Sequence, residues 1–185
     1  FFFFFFTFLF SAAMAGRTAV VTGANGVFGR HMVRLLAEQG WEVLCCVRRA
    51  AAAQELAQHV PNLRAEQCVV ADLGTREGVD AVAAFVGPDR AVHCLINNAA
   101  ITPETRQESA EGHELQWAVN VLAYHRLTRA LAPALQRAGA DAADFRPRVV
   151  MVASFYAGGL DLTDPEFKRR SYDSNSAYRV RRAKK

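Results

Sequence analysis

The sequence predicts a doubly wound parallel α/β domain with strand order 3-2-1-4-5, and three observations carry that prediction. Short apolar runs alternate with helical stretches through most of the chain. No two of those runs are joined by a tight turn alone; each is followed by a helical stretch, so the strands must run parallel, with helices covering both faces. A glycine-rich turn, Thr22-Gly23-Ala24-Asn25-Gly26-Val27-Phe28-Gly29, ends the first run and opens the first helix. Right-handed crossovers then place ligands at the carboxyl ends of the strands, near the point where the strand order reverses.

The elements follow in order. Residues 18–22 form the first strand, and residues 26–39 form a helix with Met32, Leu35 and Leu36 at helical spacing. Gly40 stops that helix in the usual C-terminal position. Residues 42–47 form the second strand, and the Ala-rich helix at 50–59 ends at Pro61-Asn62. Residues 65–70 form the third strand; Asp72-Leu73-Gly74 leads into a helix over 75–86, closed by Gly87-Pro88. Residues 91–96 form the fourth strand. A long helix over 115–135 carries Leu115, Val119, Leu122, Leu127 and Leu131 near one stripe, and Pro133 is expected to bend or end it. Residues 149–153 form the fifth strand.

Composition narrows the function classes. A 51% hydrophobic and 22% charged chain of 185 residues is globular and suits one domain. The net charge of +4 invites a nucleic-acid reading, but its location argues against it. Arg179, Arg181, Arg182, Lys184 and Lys185 fall in the last seven positions with no acid among them, and without them the net charge is −1. The basic balance describes a tail over 179–185, not a binding face, so no nucleic-acid partner is expected. Cys45, Cys46, Cys68 and Cys94 lack metal-ligand spacing and sit in apolar strand-like runs, which reads as buried thiols in a reducing, cytoplasmic setting without a metal site. His93 beside Cys94 is not a ligand pair, because neighbours on a strand point to opposite faces.

Residues 1–13 stand apart. Eight of the 13 Phe residues lie in the first ten positions, a run too short to span a bilayer and without the basic flank of a signal peptide. The segment reads as an upstream leader before Met14, with a clipped hydrophobic anchor, and hence membrane association, as the alternative. Residues 14–178 are then the dinucleotide-binding domain.

The glycine turn lets the backbone approach a pyrophosphate, with the helix N-terminus offering amides and partial positive charge to it. The group that reads the ribose belongs at the end of the second strand. An acid there would bond the 2′-hydroxyl of NAD; here Arg48-Arg49 stands about 25 residues after Gly23 and complements a 2′-phosphate instead, which favours NADP(H). A solvated Arg pair opening a helix is the alternative. Arg30 is placed to assist from the first helical turn.

The chain resembles the short-chain dehydrogenase/reductases, and within them the retinol-dehydrogenase and WW-domain-oxidoreductase-like branch. The resemblance rests on residues 22–29 and 43–48, Asp72-Leu73, Leu95-Ile96-Asn97-Asn98-Ala99-Ala100, Val119-Asn120, residues 148–154 and Ala177-Tyr178, together spread over nearly all of 17–178. It implies a Rossmann fold that binds NADP(H) and moves hydride between the nicotinamide and a carbonyl or alcohol, a small and lipophilic substrate. It implies cofactor contacts from Thr22, Gly23, Asn25, Gly26, Phe28, Gly29, Arg48, Arg49, Asp72, Leu73, Asn97 and Ala99. Within that set Asp72 meets the adenine, and Asn97 and Ala99 border the nicotinamide ribose. It implies a catalytic set of Asn120 in a proton relay, Ser154 on the substrate carbonyl, and Tyr178 as the acid.

There are departures. The family's lysine four residues after the tyrosine is Arg182 here, a cation that cannot shuttle protons. This favours a second possibility, a catalytically inactive NADP-binding fragment or scaffold. Val27 stands where this branch has Gly, a spacing typical of the extended, epimerase-like branch, which is a third. The 24 residues from Ser154 to Tyr178 match the long insert of the retinol-dehydrogenase-like branch. Tyr156 and Tyr172 are expected in that insert, and Tyr124, Trp117 and His125 to pack rather than react. After Tyr178 the apolar periodicity stops, which reads as a truncation or a shifted reading frame. The family's later strands are then missing, leaving the fifth strand as an apolar edge.

Overall fold

The computed structural model describes residues 16–141, 145–154, 161 and 163–178; expectations that fall on residues 1–15, on Tyr156 and on residues 179–185, Arg182 among them, lie outside the described residues. Among the described residues, one parallel sheet is built from β1 (Thr18–Thr22), β2 (Glu42–Val47), β3 (Cys68–Val70), β4 (Cys94–Asn97) and β5 (Arg148–Met151). Their order is β3-β2-β1-β4-β5, as the alternation of strands and helices predicts. β1 is central: Val20 pairs with Leu44 of β2 on one side and Leu95 of β4 on the other. The chain runs outward from β1 to β3 and then returns across the sheet to β4, so the strand ends part between β1 and β4 and leave a crevice.

Period-two alternation sorts the strand residues into two cores. Ala19, Val21, Val43, Cys45 and Val47 face α1 (Val27–Glu38) and α2 (Ala50–His59). Val20, Leu44, Cys46 and Leu95 face α3 (Arg76–Val86) and α5 (Ala123–Ala130), meeting Val79, Val82 and Leu127. In α1 the buried residues are Gly29, Met32, Val33 and Leu36, the i, i+3, i+4, i+7 set; Val33 takes the place expected of Leu35, which is exposed. Gly40 carries the left-handed φ of +78° just past that helix.

The third strand is shorter than expected. Residues Ala65–Gln67 form a 3₁₀ turn, because Gln67 turns its side chain to the backbone: Oε1 accepts from Arg64 N at 3.0 Å and Nε2 donates to Val43 O at 3.2 Å. That side chain replaces the ladder bond an earlier start of β3 would make. The long helix is three pieces. α4 (Leu115–Trp117) passes through a π-helical segment (Ala118–Leu122) into α5, which stops at Leu131. α6 (Ala132–Asp141) then restarts with Pro133 in its first turn, where a missing N–H leaves no helical bond unmade. The break therefore lies two residues before Pro133. His125, expected to pack, is exposed. β5 spans 148–151 rather than 149–153, with Val149 and Met151 exposed on it. A last helix, α7 (Ser174–Tyr178), carries Tyr178.

Candidate functional site

A cleft of about 420 Å³ opens at the carboxyl ends of β1, β2 and β4. Of the sequence-assigned cofactor residues, Gly23, Asn25, Gly26, Phe28, Gly29, Arg48, Arg49, Asp72, Leu73 and Ala99 line it, while Thr22 and Asn97 stand behind its wall.

The glycine turn is held by contacts no larger residue permits. Gly23 has φ of +61°, and a Cβ there would lie 2.8 Å from Ala99 Cα. A Cβ on Gly29 would lie 2.1 Å from Gly23 O, inside any tolerable contact. Gly26, at 3.3 Å from Gly23 O, is the N-cap of α1 and has no side chain to satisfy the first-turn amides. No acid stands in that turn, so the positive end of α1 meets the cleft uncompensated. The cradle thus fits an anionic pyrophosphate, and Val27 and Phe28 beside it are largely exposed.

Thr22 works from behind. Its buried hydroxyl accepts from Asn98 N at 2.9 Å and Ala99 N at 3.0 Å, and donates to Ile96 O at 3.3 Å. Asn98 returns the tie by donating through Nδ2 to Thr22 O at 2.9 Å and Gly23 O at 3.1 Å. These five bonds lock the end of β1 to the end of β4. Asn98 therefore lines the cleft, whereas Asn97 is 1% exposed and points toward Thr128. The sequence points to Asn97; in the structure Asn98, bonded to the end of β1 beside the glycine turn, is the one that reaches the cleft.

Other walls follow from single contacts. Arg48 and Arg49 end β2 as exposed side chains on the cleft. Arg30 donates to Asn25 O at 3.2 Å and so steadies the glycine turn. Asp72 Oδ1 accepts from Gly74 N at 2.9 Å, and buried Leu73 supplies an apolar wall. Gly78, which sequence reasoning missed, holds this wall in place: a Cβ there would lie 1.9 Å from Asp72 O, so only glycine lets α3 sit against that backbone. Cys46 also lines the cleft, and burial pushes its thiol up to about 12, so it presents a neutral wall.

The assigned catalytic residues sit outside the lining of this cleft. Asn120 lies in the π segment, and its side chain pairs with one backbone unit: Oδ1 accepts from Ile101 N and Nδ2 donates to Ile101 O, each at 2.9 Å. It clamps the loop after β4. Tyr124 pins the same loop through its hydroxyl to Ala99 O at 2.9 Å. Ser154 follows β5 and is half-buried, as is Tyr178 at the end of α7. α7 packs on α4, whose Leu115 lines the cleft beside Val119 of the π segment, so the Tyr178 segment borders the cleft's wall.

Relatives fix what this framework is. Residues 17–159 match the family described as short chain dehydrogenase. Polyprenol dehydrogenase of Mus musculus is 34% identical over 170 residues, which cover 88% of this chain and 50% of that protein. Retinol dehydrogenase 13 of Mus musculus is 28% identical over 176 residues, covering 90% and 50%. The chain thus spans about half the length of the curated relatives it matches. Among solved structures, the Pseudomonas aeruginosa RhlG/NADP active-site complex superposes with a TM-score of 0.69 at 26% identity, covering 91% of this chain and 62% of that one. The 3-ketoacyl-(acyl-carrier-protein) reductase from Brucella melitensis complexed with NADH gives 0.65 at 28% identity, covering 91% and 64%. A glycine cradle on a parallel sheet is common to several nucleotide-binding families, but a family match over most of the chain is not, and the protein belongs to the short-chain dehydrogenase/reductases, with retinol-dehydrogenase-like relatives.

Proposed function

We propose that this chain is the cofactor-binding part of an NADP(H)-dependent oxidoreductase acting on a lipophilic carbonyl or alcohol. The observation that carries the reading is the cleft itself: the glycine cradle after β1, Arg48 and Arg49 after β2, and the Asp72-Leu73 wall after β3. The cradle suits the pyrophosphate, the guanidinium pair suits a 2′-phosphate by bidentate charge-assisted bonds, and Asp72-Leu73 suits an adenine. The lipophilic substrate class is supported by the names of the polyprenol and retinol dehydrogenase relatives.

When bound, the nicotinamide supplies or accepts the hydride. The chain's own residues handle the proton and the carbonyl. Ser154 donates a hydrogen bond to the carbonyl oxygen, and Tyr178 delivers the proton that the oxygen needs as hydride reaches the carbon. A free phenol titrates at about 10, so Tyr178 works only beside a cation. Arg182 stands at the sequence position for that cation. Asn120 serves the proton relay from a fixed position, since its side chain is clamped to the Ile101 backbone. A second reading, cofactor binding without turnover, is favoured by Arg182, which holds its proton at every working pH.

Transfer of deuterium from 4-deuterated NADPH to a panel of long-chain aldehydes and ketones separates the two. Label on the carbinol carbon is expected, and NADPH binding without any label transfer would favour the second reading.

A further inference from the structure

Residues 163–174 form a strap that lies across the loop before α4, and they end where the helix carrying Tyr178 begins. Side chains from both sides fasten it. Glu166 Oε2 accepts from Glu114 N at 3.0 Å and meets His113 Nδ1 at 3.2 Å, while Arg106 Nε donates to Glu166 O at 3.2 Å. Gln116 Nε2 donates to Tyr172 Oη at 2.8 Å and to Ser174 O at 3.1 Å. The Tyr172 hydroxyl passes its own proton on to Pro103 O at 3.2 Å.

The strap is rigid by its own contacts. Asp164 accepts from the backbone amides of Lys168, Arg169 and Arg170 at 2.8, 3.0 and 3.2 Å. The Phe167 ring is buried, edge-on to Tyr172, with the Arg170 guanidinium 4.0 Å from its centre. The other half of the clasp is equally fixed. Glu114 is fully buried and caps α4, accepting from Gln116 N at 3.0 Å and Trp117 N at 2.7 Å. Gln116 is 1% exposed, and its Oε1 has no partner among the described residues. An orphaned buried amide oxygen is a cost that a methionine of similar shape would avoid. The side chain is therefore here for its two N–H donors, and both point at the strap.

We propose that Gln116, with Glu166 as the second fastening, is the positioning residue that sets Tyr178. The Ser174 carbonyl it holds lies one helical turn before Tyr178, so its bond fixes the start of the short helix that carries the phenol. Gln116 also lies one turn before Asn120, so one helical face carries the clamp on the strap and the clamp on the loop after β4. The proposal rests on the reading of Tyr178 as the acid.

The test uses Gln116→Met, which keeps the shape and removes the donors, and the milder Tyr172→Phe. Hydrogen exchange of the 163–178 amides is measured beside kcat and the NADPH Kd. In Gln116→Met, exchange at Tyr178 is expected to rise at least about tenfold while β1 and β2 stay protected. The expected fall in kcat is roughly 10- to 100-fold, the upper end matching a misplacement of about 1 Å, with the NADPH Kd unchanged. Tyr172→Phe should move the same way by less. Unchanged exchange in both variants overturns the clasp. Raised exchange with unchanged kcat overturns the positioning role. A parent protein that reduces no carbonyl would instead sink the proposed reaction, and the exchange at Tyr178 would still decide whether Gln116 holds it.

Discussion

Arg48 is the residue on which the proposed preference for NADPH turns. It ends β2 on the cleft, and β2 itself ends without an acid to bond a ribose hydroxyl. Arg48→Asp is expected to cost about 1.5–3 kcal/mol of NADPH affinity, the scale of a charge-assisted hydrogen bond, and to leave NADH affinity level or improved. Titration of both cofactors into parent and variant checks it; an unchanged NADPH Kd would remove Arg48 from the site. Gly29 makes a different kind of prediction. With only 2.1 Å between its would-be Cβ and Gly23 O, Gly29→Ala must push α1 off the cradle, so NADPH binding should fall more than tenfold with a loss of about 1–3 kcal/mol in stability. Denaturant unfolding and cofactor titration together measure it. The place of both on the cleft was legible in the sequence: a glycine turn after the first strand marks Gly29, and the end of the second strand marks Arg48. Thr22 and Gly78 show the limit. Thr22 was read as a cofactor contact, yet its hydroxyl is spent tying β1 to β4, and Gly78 gave no local sign of the Asp72 backbone lying against it.

At the scale of elements, the central strands follow from short apolar runs buried on both faces, and the first three helices from periodicity, because each buries one clear face. Leu127 illustrates the core they make: it is fully buried on α5 against the sheet, so Leu127→Ala should destabilise by about 2–5 kcal/mol in a denaturant melt. The middle of the long helix was not legible. A π-helical segment changes the turn count without changing the apolar pattern, so nothing in the residues 118–122 announces it. The strap was equally opaque, since its contacts join residues far apart in the chain. It also carries a pH prediction. Burial alone would raise Glu166, but the hydrogen bonds from Glu114 N–H and the His113 ring outweigh it, and the carboxyl lies below its ordinary 4.5. A depressed folded value stabilises docking above about 4.5, and that contribution is lost as pH falls through the folded value. Glu114 works in the opposite sense: burial holds its carboxyl above the ordinary range, so acid relieves its penalty. The difference in strap exchange between parent and Glu166→Gln isolates the first effect. It should be present above about pH 4.5 and shrink as the pH falls below it; a difference that does not fall with acid would contradict the assignment.

For the molecule as a whole, the sheet order, the crevice and the cradle form one device. β1 sits between β2 and β4, and the Thr22 and Asn98 bonds keep the strand ends at a fixed spacing. That spacing places the glycine cradle, the Arg pair and the Asp72-Leu73 wall around one volume. The fold was legible because alternation of strand and helix leaves a parallel sheet as the consistent solution. The residues expected to be catalytic were less so: Asn120, Ser154 and Tyr178 lie outside the lining of the cleft, and the start of the helix that carries Tyr178 is held by a residue far away in sequence, Gln116. The most direct test of the account is a titration of the purified protein with NADPH and with NADH at the same ionic strength. NADPH is expected to bind at least about tenfold more tightly, the equivalent of about 1.4 kcal/mol from one charge-assisted contact to the 2′-phosphate. Equal dissociation constants, or tighter binding of NADH, would contradict it.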